Sequence, residues 1–188
     1  MKQLTALTMA MVVVAGASFL SAEETQSGLQ SGEHIGAFYV TKLCGADSDG
    51  VDVGDNLCYR CKNGGRPQVM VFTRSADKNV VKLVQKLDEA IPENESKQLR
   101  AFVNYMGQNK AAAKAEAKKL AKSSKAKNVP FVLPNEYENG PANYGLNPQA
   151  EVTIILAEGG KVIANHAAKS ADKLDVEAVV ADLSKILK

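Results

Sequence analysis

The stretch that most constrains the fold is an apolar strand that leads directly into an amphipathic helix. Residues 68–72 are β-compatible and include four consecutive apolar side chains, which predicts a central strand covered on both faces. Ser75 is the predicted helix N-cap, Asp77 falls in the first turn, and Pro92 is expected to end the helix. The apolar stripe between them comprises Val80, Leu83, Val84, Leu87 and Ile91. A strand followed by a helix predicts the first half of a βαβ unit.

The rest of the chain supplies the other elements of an α/β domain. Further strands are predicted at residues 36–43, 99–106 and 129–133, helices at 110–127 and 174–187, a turn at 141–146, and a hairpin of strands 151–157 and 161–166. Helices placed between strands indicate parallel crossovers, and the hairpin adds antiparallel strands. The sequence therefore predicts a mixed central sheet with helices on both faces, closed by a β-hairpin and a helix.

The amino terminus has the pattern of an export signal. Lys2 provides the positive start, residues 4–20 are mostly apolar and uncharged, and Ala22 is a small residue at a plausible cleavage point. A membrane anchor is the alternative, but Thr, Ser and Gly interrupt the apolar run. We therefore predict a signal peptide at residues 1–22, a flexible lead at 23–33 and one domain at 34–188, in a periplasmic or secreted protein without an integral membrane span.

Composition narrows the class of partner. Lysine and arginine number 23 against 21 acidic residues, so the net charge is close to zero, and the chain has no Trp. Neither a strong electrostatic attraction to nucleic acid nor an aromatic stacking surface is expected. We predict no nucleic-acid partner, no cofactor and no metal, and no feature of the sequence defines an oligomeric state.

The order of these segments resembles the thioredoxin-like superfamily, in the branch of the peroxiredoxins and the exported thiol-disulfide oxidoreductases. The resemblance spans about residues 32–188. Four segments carry it: residues 35–40, residues 66–72, residues 129–134 with 144–146, and the hairpin segments 152–156 and 159–163. It implies a thioredoxin-like fold and a redox activity that acts on protein thiols or disulfides.

The chain departs from the family where the family carries its active site. The family places cysteines at the start of the helix after the central strand, where backbone N–H groups lower a thiol pKa. Residues 73–80 contain no cysteine, and the proline that the family places near residues 150–152 is absent. The resemblance therefore implies the fold without the usual redox site.

The chain has three cysteines, Cys44, Cys58 and Cys61, and two of them form a C-x-x-C displaced to a position before the central strand. In an exported chain a disulfide is expected and one cysteine is left over. Cys58 can pair with Cys61, either as an exchangeable bond or as a permanent clamp on a loop. Cys44 can instead pair with Cys58 or Cys61. Haem attachment is disfavoured because Lys62, not His, follows Cys61.

Two functions follow from these pairings. In the first, Cys58 is the nucleophile and Cys61 the resolving cysteine of a thiol-disulfide exchanger, with Arg60, Lys62 and Arg66 favouring the thiolate. In the second, the disulfide is structural and the domain is a redox-inactive interaction or scaffold module. The missing cysteines after the central strand favour the second function, and the basic C-x-x-C favours the first.

Two patterns suggest metal ligands. The three cysteines with His34 or His166 would make a Cys₃His set suited to zinc, although neither histidine has finger-like spacing. Residues 47–52 contain alternate aspartates, as calcium loops do, but lack the expected glycine and glutamate positions. A solvated acidic turn is the preferred interpretation.

Two charged patterns remain. The helix predicted at residues 110–127 has a row of lysines on one side: Lys110, Lys114, Lys118, Lys122 and Lys125. Such a row could bind an anionic polymer or a membrane surface, but we interpret it as a solvated helix face. Arg74 and Asp77 stand where the family has its active site and are either a repurposed binding or acid/base pair or, as we prefer, a solvated arginine and a helix-terminal charge.

Overall fold

The structure is a computed structural model that describes residues 25–188. The predicted signal peptide lies outside the described residues. A seven-stranded sheet runs in the order β2-β1-β5-β4-β3-β6-β7. The strands are β1 (Val40–Cys44), β2 (Asn56–Leu57), β3 (Gln68–Thr73), β4 (Arg100–Tyr105), β5 (Phe131–Pro134), β6 (Val152–Glu158) and β7 (Lys161–Ala168). The helices are α1 (Tyr59–Asn63), α2 (Lys78–Glu93), α3 (Lys110–Ser124) and α4 (Val176–Ile186).

The sheet is mixed, as predicted, and β3 is an interior strand between β4 and β6. β3 pairs in parallel with β4 and antiparallel with β6, while β4 pairs in parallel with β5. β6 and β7 form the predicted hairpin. All six residues of β3 are buried, which confirms a strand covered on both faces. The strand predicted at residues 36–43 begins later, at Val40, and β2 and α1 were not predicted.

Alternate residues of the strands face two separate cores. Val69 and Val71 of β3 pack in one core with the apolar stripes of α2, α3 and α4. Met70 and Phe72 pack in the other with Phe38, Tyr59 and Tyr144, among others. The three long helices therefore share one face of the sheet. The second face has the short α1 and irregular segments, so the predicted helices on both faces are present but unequal in size.

The two ends of α2 differ from the prediction. Asp77, not Ser75, is the N-cap, because its carboxylate accepts the Asn79 N–H at 2.8 Å. Pro92 lies inside the last turn of α2 instead of ending the helix. A proline removes the N–H that would bond the carbonyl four residues earlier, that of Asp88. The Asn128 side chain donates to this carbonyl at 3.2 Å, so the helix continues past Pro92.

The segment before the domain boundary predicted at residue 34 also contacts the sheet. The Gly32 N–H donates to the Val162 carbonyl at 2.8 Å, and the Asn165 side chain donates to the Leu29 carbonyl at 2.7 Å. The hydroxyls of Ser27 and Thr153 lie 2.6 Å apart. Residues 27–33, predicted to belong to a flexible lead, thus contact β6 and β7. Within residues 25–188, no helix combines the length and apolar character needed to cross a membrane.

Candidate functional site

Cys58 and Cys61 form a disulfide immediately before the central strand. Their Sγ atoms are bonded and their Cα atoms lie 5.2 Å apart. Cys44 is bonded to neither of them. The structure therefore has the local C-x-x-C bond, and the alternative pairings through Cys44 do not occur.

The disulfide lies at the start of α1, a helix of five residues. Cys58 is its N-cap, and Cys58 Sγ accepts the Cys61 N–H at 3.0 Å. Gly64 ends the helix with a φ of 62°, a backbone conformation that glycine adopts at low cost. Tyr59 anchors the helix to the sheet, where its ring stacks on Phe102 at 5.6 Å between centroids. Sequence periodicity cannot reveal a helix this short, because it has fewer than two turns.

The two sulfur-bearing residues differ in exposure. Cys58 is buried, with 8% of its surface exposed, whereas Cys61 is exposed. Thiol-disulfide exchange requires an attacking sulfur to reach one sulfur of the bond along an open approach. The residue open to such an approach from solvent is Cys61.

The acidic loop before α1 is organised by a lysine. Lys42 is 1% exposed, and its ammonium donates to the Asp49 carboxylate at 2.8 Å, the Val51 carbonyl at 2.8 Å and the Ala46 carbonyl at 3.0 Å. All three N–H donors of the ammonium are thus used. Of the aspartates in the suggested calcium loop, Asp49 is therefore paired with a lysine of the same domain, and no three acidic side chains are grouped as metal ligands within residues 25–188.

This lysine network reaches the disulfide helix through one hydrogen bond. The other carboxylate oxygen of Asp49 accepts the Tyr59 O–H at 2.6 Å. Burial, together with this hydrogen bond and the negative charge of Asp49, raises the pKa of Tyr59 well above its ordinary value. The Tyr59 hydroxyl consequently remains a donor at physiological pH and ties α1 to the loop. Sequence reasoning missed both Lys42 and Tyr59, since an isolated lysine in a strand gives no sign that it is buried.

The basic residues expected beside the disulfide are present, with different environments. Arg60 is partly buried, and its Nε has no hydrogen-bond partner among residues 25–188. One of its Nη atoms lies close to Gly160 in the β6–β7 turn, where a Cβ would meet it at 3.3 Å. Lys62 and Arg66 are exposed. Of the three cations predicted around the C-x-x-C, Arg60 therefore lies toward the sheet, and Lys62 and Arg66 face solvent.

Cys44 is a half-buried free thiol at the end of β1. Burial raises the pKa of the Cys44 thiol, and the nearby Lys118 charge partly offsets this effect. A thiol with a raised pKa holds less reactive thiolate at neutral pH. Cys44 is thus poorly suited to thiol-disulfide exchange.

The opposite end of β3 corresponds to the family's usual active-site position, and it contains no thiol. The Arg74 guanidinium donates to the Glu138 carbonyl, while Nε and Nη2 have no partner within the described part of the chain. Burial lowers the pKa of Arg74. Asp77 caps α2, as described above, and forms no ion pair with Arg74. The suggested acid/base pair is therefore not assembled.

The suggested zinc ligands are also not brought together. Within residues 25–188, no three His, Cys, Asp or Glu side chains are grouped as metal ligands. His166 Nε2 lies 3.1 Å from the Asp182 carboxylate of α4. His34 forms an isolated bridge with Lys161. The described residues thus offer no assembled site for zinc.

The lysine row lies on the outer side of α3. Four of its members are exposed and Lys114 is half-buried. Lys110 lies over the Tyr137 ring, 5.9 Å from its centroid. This exposure agrees with the interpretation of a solvated helix face.

Among known proteins, this chain matches solved structures by fold but matches none by sequence. No family model and no curated protein matches the sequence. A Chlorobium tepidum protein assigned as the thiol:disulfide interchange protein DsbE matches with a TM-score of 0.60 and 16% identity, covering 85% of this chain and 99% of that one. The chain has a thioredoxin-like fold.

Two further solved structures resemble this chain in fold. Mycobacterium tuberculosis AhpC matches with a TM-score of 0.58 and 14% identity over 85% of this chain and 99% of that one. The exposed lipoprotein thioredoxin Etrx1 of Streptococcus pneumoniae matches with a TM-score of 0.52 and 16% identity over 80% of this chain and 99% of that one. At these identities the likeness concerns the fold, and function has to be argued from the site.

Proposed function

We propose that this domain exchanges disulfides with the thiols of other proteins through the Cys58–Cys61 bond, and that Cys61 Sγ is the atom attacked. The observation that carries the proposal is the contrast in exposure across the bond, with Cys61 open to solvent and Cys58 buried. Exposed disulfides are the labile ones, with reduction potentials above about −300 mV.

The hydrogen bond at the amino end of α1 supports the same direction of attack. When a thiolate attacks Cys61 Sγ, a mixed disulfide forms and Cys58 leaves as a thiolate. The Cys61 N–H already points at Cys58 Sγ, 3.0 Å away, and can donate to the charge that develops there. Hydrogen bonding to the charged form of a thiol lowers its pKa and makes it a better leaving group.

The full exchange is a balanced transfer of two electrons. In the oxidising direction, a substrate thiolate attacks Cys61 and expels Cys58. A second substrate thiolate then attacks the substrate sulfur of the mixed disulfide and expels Cys61. The substrate has gained a disulfide, and the domain has gained two electrons as the Cys58 and Cys61 thiols. The reverse sequence, in which Cys61 attacks a substrate disulfide and Cys58 then closes the bond, reduces the substrate.

This proposal exchanges the roles assigned from the sequence, where Cys58 was the nucleophile and Cys61 the resolving cysteine. The first assignment rested on the basic C-x-x-C in an oxidising compartment, a pattern that contains no information on which cysteine is buried. Here the motif precedes the central strand, and Tyr59 holds the Cys58 side of α1 against the sheet. The accessible cysteine is consequently the second of the pair.

The first test measures the bond itself. Mass spectrometry of the unreduced protein should identify Cys58–Cys61 as the disulfide, and equilibration in glutathione buffers should open it at a potential above about −300 mV. A bond that stays closed across the whole buffer series would contradict the proposal.

The second test compares the reactivity of the Cys58 and Cys61 thiols. It uses a Cys44→Ser background, which removes the third thiol. Cys58→Ser leaves Cys61 as the only thiol, and Cys61→Ser leaves Cys58. Because Cys61 is exposed and Cys58 is not, a thiol-reactive disulfide reagent should modify Cys61 at least about tenfold faster. Circular dichroism checks that both variants are folded, and equal rates or a faster Cys58 would refute the proposed roles.

The alternative is a redox-inactive interaction or scaffold module with a structural disulfide. It is favoured by the buried Tyr59 beside the bond, since a clamp across one turn of α1 would hold this anchor in place. This function predicts that reduction lowers stability and that the bond resists glutathione. The glutathione titration therefore decides between the two functions.

We also propose that the protein is exported. The predicted signal peptide at residues 1–22 supports this, and disulfides such as Cys58–Cys61 persist in an oxidising compartment. The exposed lipoprotein thioredoxin of S. pneumoniae, a structural neighbour, is compatible with it. Expression of the full chain followed by amino-terminal sequencing of the mature protein tests the proposal, and an intact Met1 in the cytoplasm would contradict it.

A further inference from the structure

A groove of about 690 Å³ runs beside the disulfide helix, between α1, the end of α2 and the start of β4. Tyr59, Lys62, Asn63 and Arg66 line one wall. Tyr59, Lys62 and Asn63 belong to α1, and Arg66 lies in the turn that follows this helix. Lys62 directly follows Cys61, so one residue of this wall is the neighbour in sequence of the exposed cysteine.

The groove has an excess of unneutralised positive charge. Lys62, Arg66 and Arg100 line it, and none forms an ion pair with a residue in the described range 25–188. The hydrogen bonds of the two arginines go to neutral oxygens. Arg66 Nε donates to the Gln98 side chain at 2.6 Å, and Arg100 Nη1 donates to the Leu99 carbonyl at 2.8 Å.

The acidic residues of the groove do not cancel this charge. Asp49 and Glu95 also line it. The Asp49 carboxylate is bound to the Lys42 ammonium at 2.8 Å and to the Tyr59 hydroxyl at 2.6 Å, so its charge is already matched. Glu95 remains opposite three cations. A basic groove in a nearly neutral protein is a local feature that attracts negatively charged ligands.

We propose that this groove, defined by Lys62, Arg66 and Arg100, binds an acidic segment of the protein whose thiol or disulfide is exchanged at Cys61. The inference rests on the proposed exchange function and adds the substrate class: carboxylate side chains that flank the reacting cysteine. Arginine and lysine bind carboxylates through charge-assisted hydrogen bonds. The carboxylates would hold the substrate in the groove next to α1 and raise its local concentration near Cys61.

The experiment measures the rate at which thiol peptides open the Cys58–Cys61 bond in the Cys44→Ser protein. The capped tripeptides carry cysteine between two aspartates, two asparagines or two lysines. Dividing each rate by the rate of the same peptide with a small neutral disulfide removes differences in intrinsic thiol reactivity. We expect the aspartate peptide to react about tenfold faster than the asparagine peptide at low salt, a size typical of electrostatic steering.

Matched variants locate the effect. The triple variant Lys62→Gln, Arg66→Gln and Arg100→Gln should lose the preference for the aspartate peptide, measured as the ratio of the aspartate rate to the asparagine rate in the same variant. The control triple variant Lys78→Gln, Lys122→Gln and Lys169→Gln removes the same charge from exposed positions elsewhere and should keep the preference. A preference that survives in the groove variant, or that disappears equally in the control, would overturn the inference.

A binding measurement separates this inference from the exchange function. If no peptide opens the bond, the exchange function fails, and binding of the aspartate peptide with serine in place of cysteine still tests the groove. Backbone amide shifts at Lys62, Arg66 and Arg100 that saturate with this peptide, and not with the lysine peptide, would support an acidic ligand. No shifts there would refute it.

Discussion

The two ends of the central strand β3 are built differently. Six residues separate them, a length of about 17 Å at the usual rise per residue. The amino end carries the disulfide, the buried Lys42–Asp49 pair and the Tyr59 anchor. The carboxyl end, where the family has its active site, carries Arg74 and the helix cap Asp77, with two arginine nitrogens lacking partners within the described residues.

This difference shows that the cysteine pair of this chain lies at the end of β3 opposite to the family's active-site position. The carboxyl end keeps the backbone arrangement of the strand and helix, but no side chain there can exchange sulfur. The amino end has the only disulfide among the described residues, together with a charged network that fixes its helix. If the two ends are independent, a substitution at one should leave the property measured at the other unchanged.

The largest expected effect comes from breaking the lysine network at the amino end. Lys42→Met keeps the aliphatic stem but leaves Asp49 and two carbonyls without the ammonium. Removing one partner of a buried ion pair costs about 3–5 kcal/mol, and the lower value is expected because Asp49 is 18% exposed. Urea denaturation measures the loss of unfolding free energy.

Two variants control this result. Lys122→Met removes an exposed lysine and should change stability by less than about 0.5 kcal/mol. Combining Lys42→Met with Asp49→Asn should recover part of the loss, since it removes the unpaired charge. If Lys42→Met alone costs no more than Lys122→Met, the network does not hold the amino end.

A smaller effect is expected where the network meets α1. Tyr59→Phe keeps the stacking on Phe102 and removes the hydrogen bond to Asp49, which should cost about 1.5 kcal/mol, as hydrogen bonds to charged groups do. The disulfide should also open faster in glutathione, because α1 loses its tie to the acidic loop. An unchanged opening rate would mean that the ring alone positions the helix.

At the carboxyl end, a helix-cap substitution should affect stability alone. Asp77→Ala removes the N-cap of α2 and should cost about 1 kcal/mol. The matched variant Asn109→Ala removes the N-cap of α3, whose side chain accepts the Ala112 N–H at 3.0 Å, and should cost a similar amount. Neither variant should shift the glutathione potential of Cys58–Cys61. A shift with Asp77→Ala alone would show that the two ends are coupled.

The smallest expected effect is a loss of unfolding free energy at alkaline pH, from Tyr105, next to the carboxyl end of β3. Burial, with smaller effects from Glu116 and Glu151, raises the pKa of Tyr105 to about 12, and its hydroxyl donates to the Arg74 carbonyl at 3.3 Å. An unfolded tyrosine ionises near pH 10. Between pH 10 and 12 the unfolded state has therefore lost a proton that the folded state keeps, so stability should fall as the pH rises.

The measurement is the unfolding free energy at pH 9.5 and 11.5 in the Cys44→Ser background. Tyr105→Phe should reduce the loss between these pH values, because it removes the group that titrates. Tyr39→Phe, which removes an exposed hydroxyl, is the control. Equal losses in the Cys44→Ser protein with and without Tyr105→Phe would show that Tyr105 does not contribute to the pH dependence.

The sequence was sufficient for the elements that have a long regular pattern. The apolar run of β3 and the stripe of α2 were predicted because strand and helix periodicities are local properties of the chain. The same holds for the hairpin, which turns at Gly159 and Gly160. The end of α2 was misplaced because Asn128, distant in sequence, donates to the carbonyl that Pro92 leaves without its usual partner.

The sequence by itself determined the thioredoxin-like order of strands and helices, the absence of cysteine from the usual active-site helix, and the presence of a C-x-x-C before the central strand. Only the tertiary structure decided that Cys58 is buried and Cys61 exposed, and that the Lys42 ammonium fills the acidic loop. The reason is that burial depends on contacts between residues distant in the chain, such as Tyr59 with Phe102, whereas spacing in the sequence specifies only which residues share a local face.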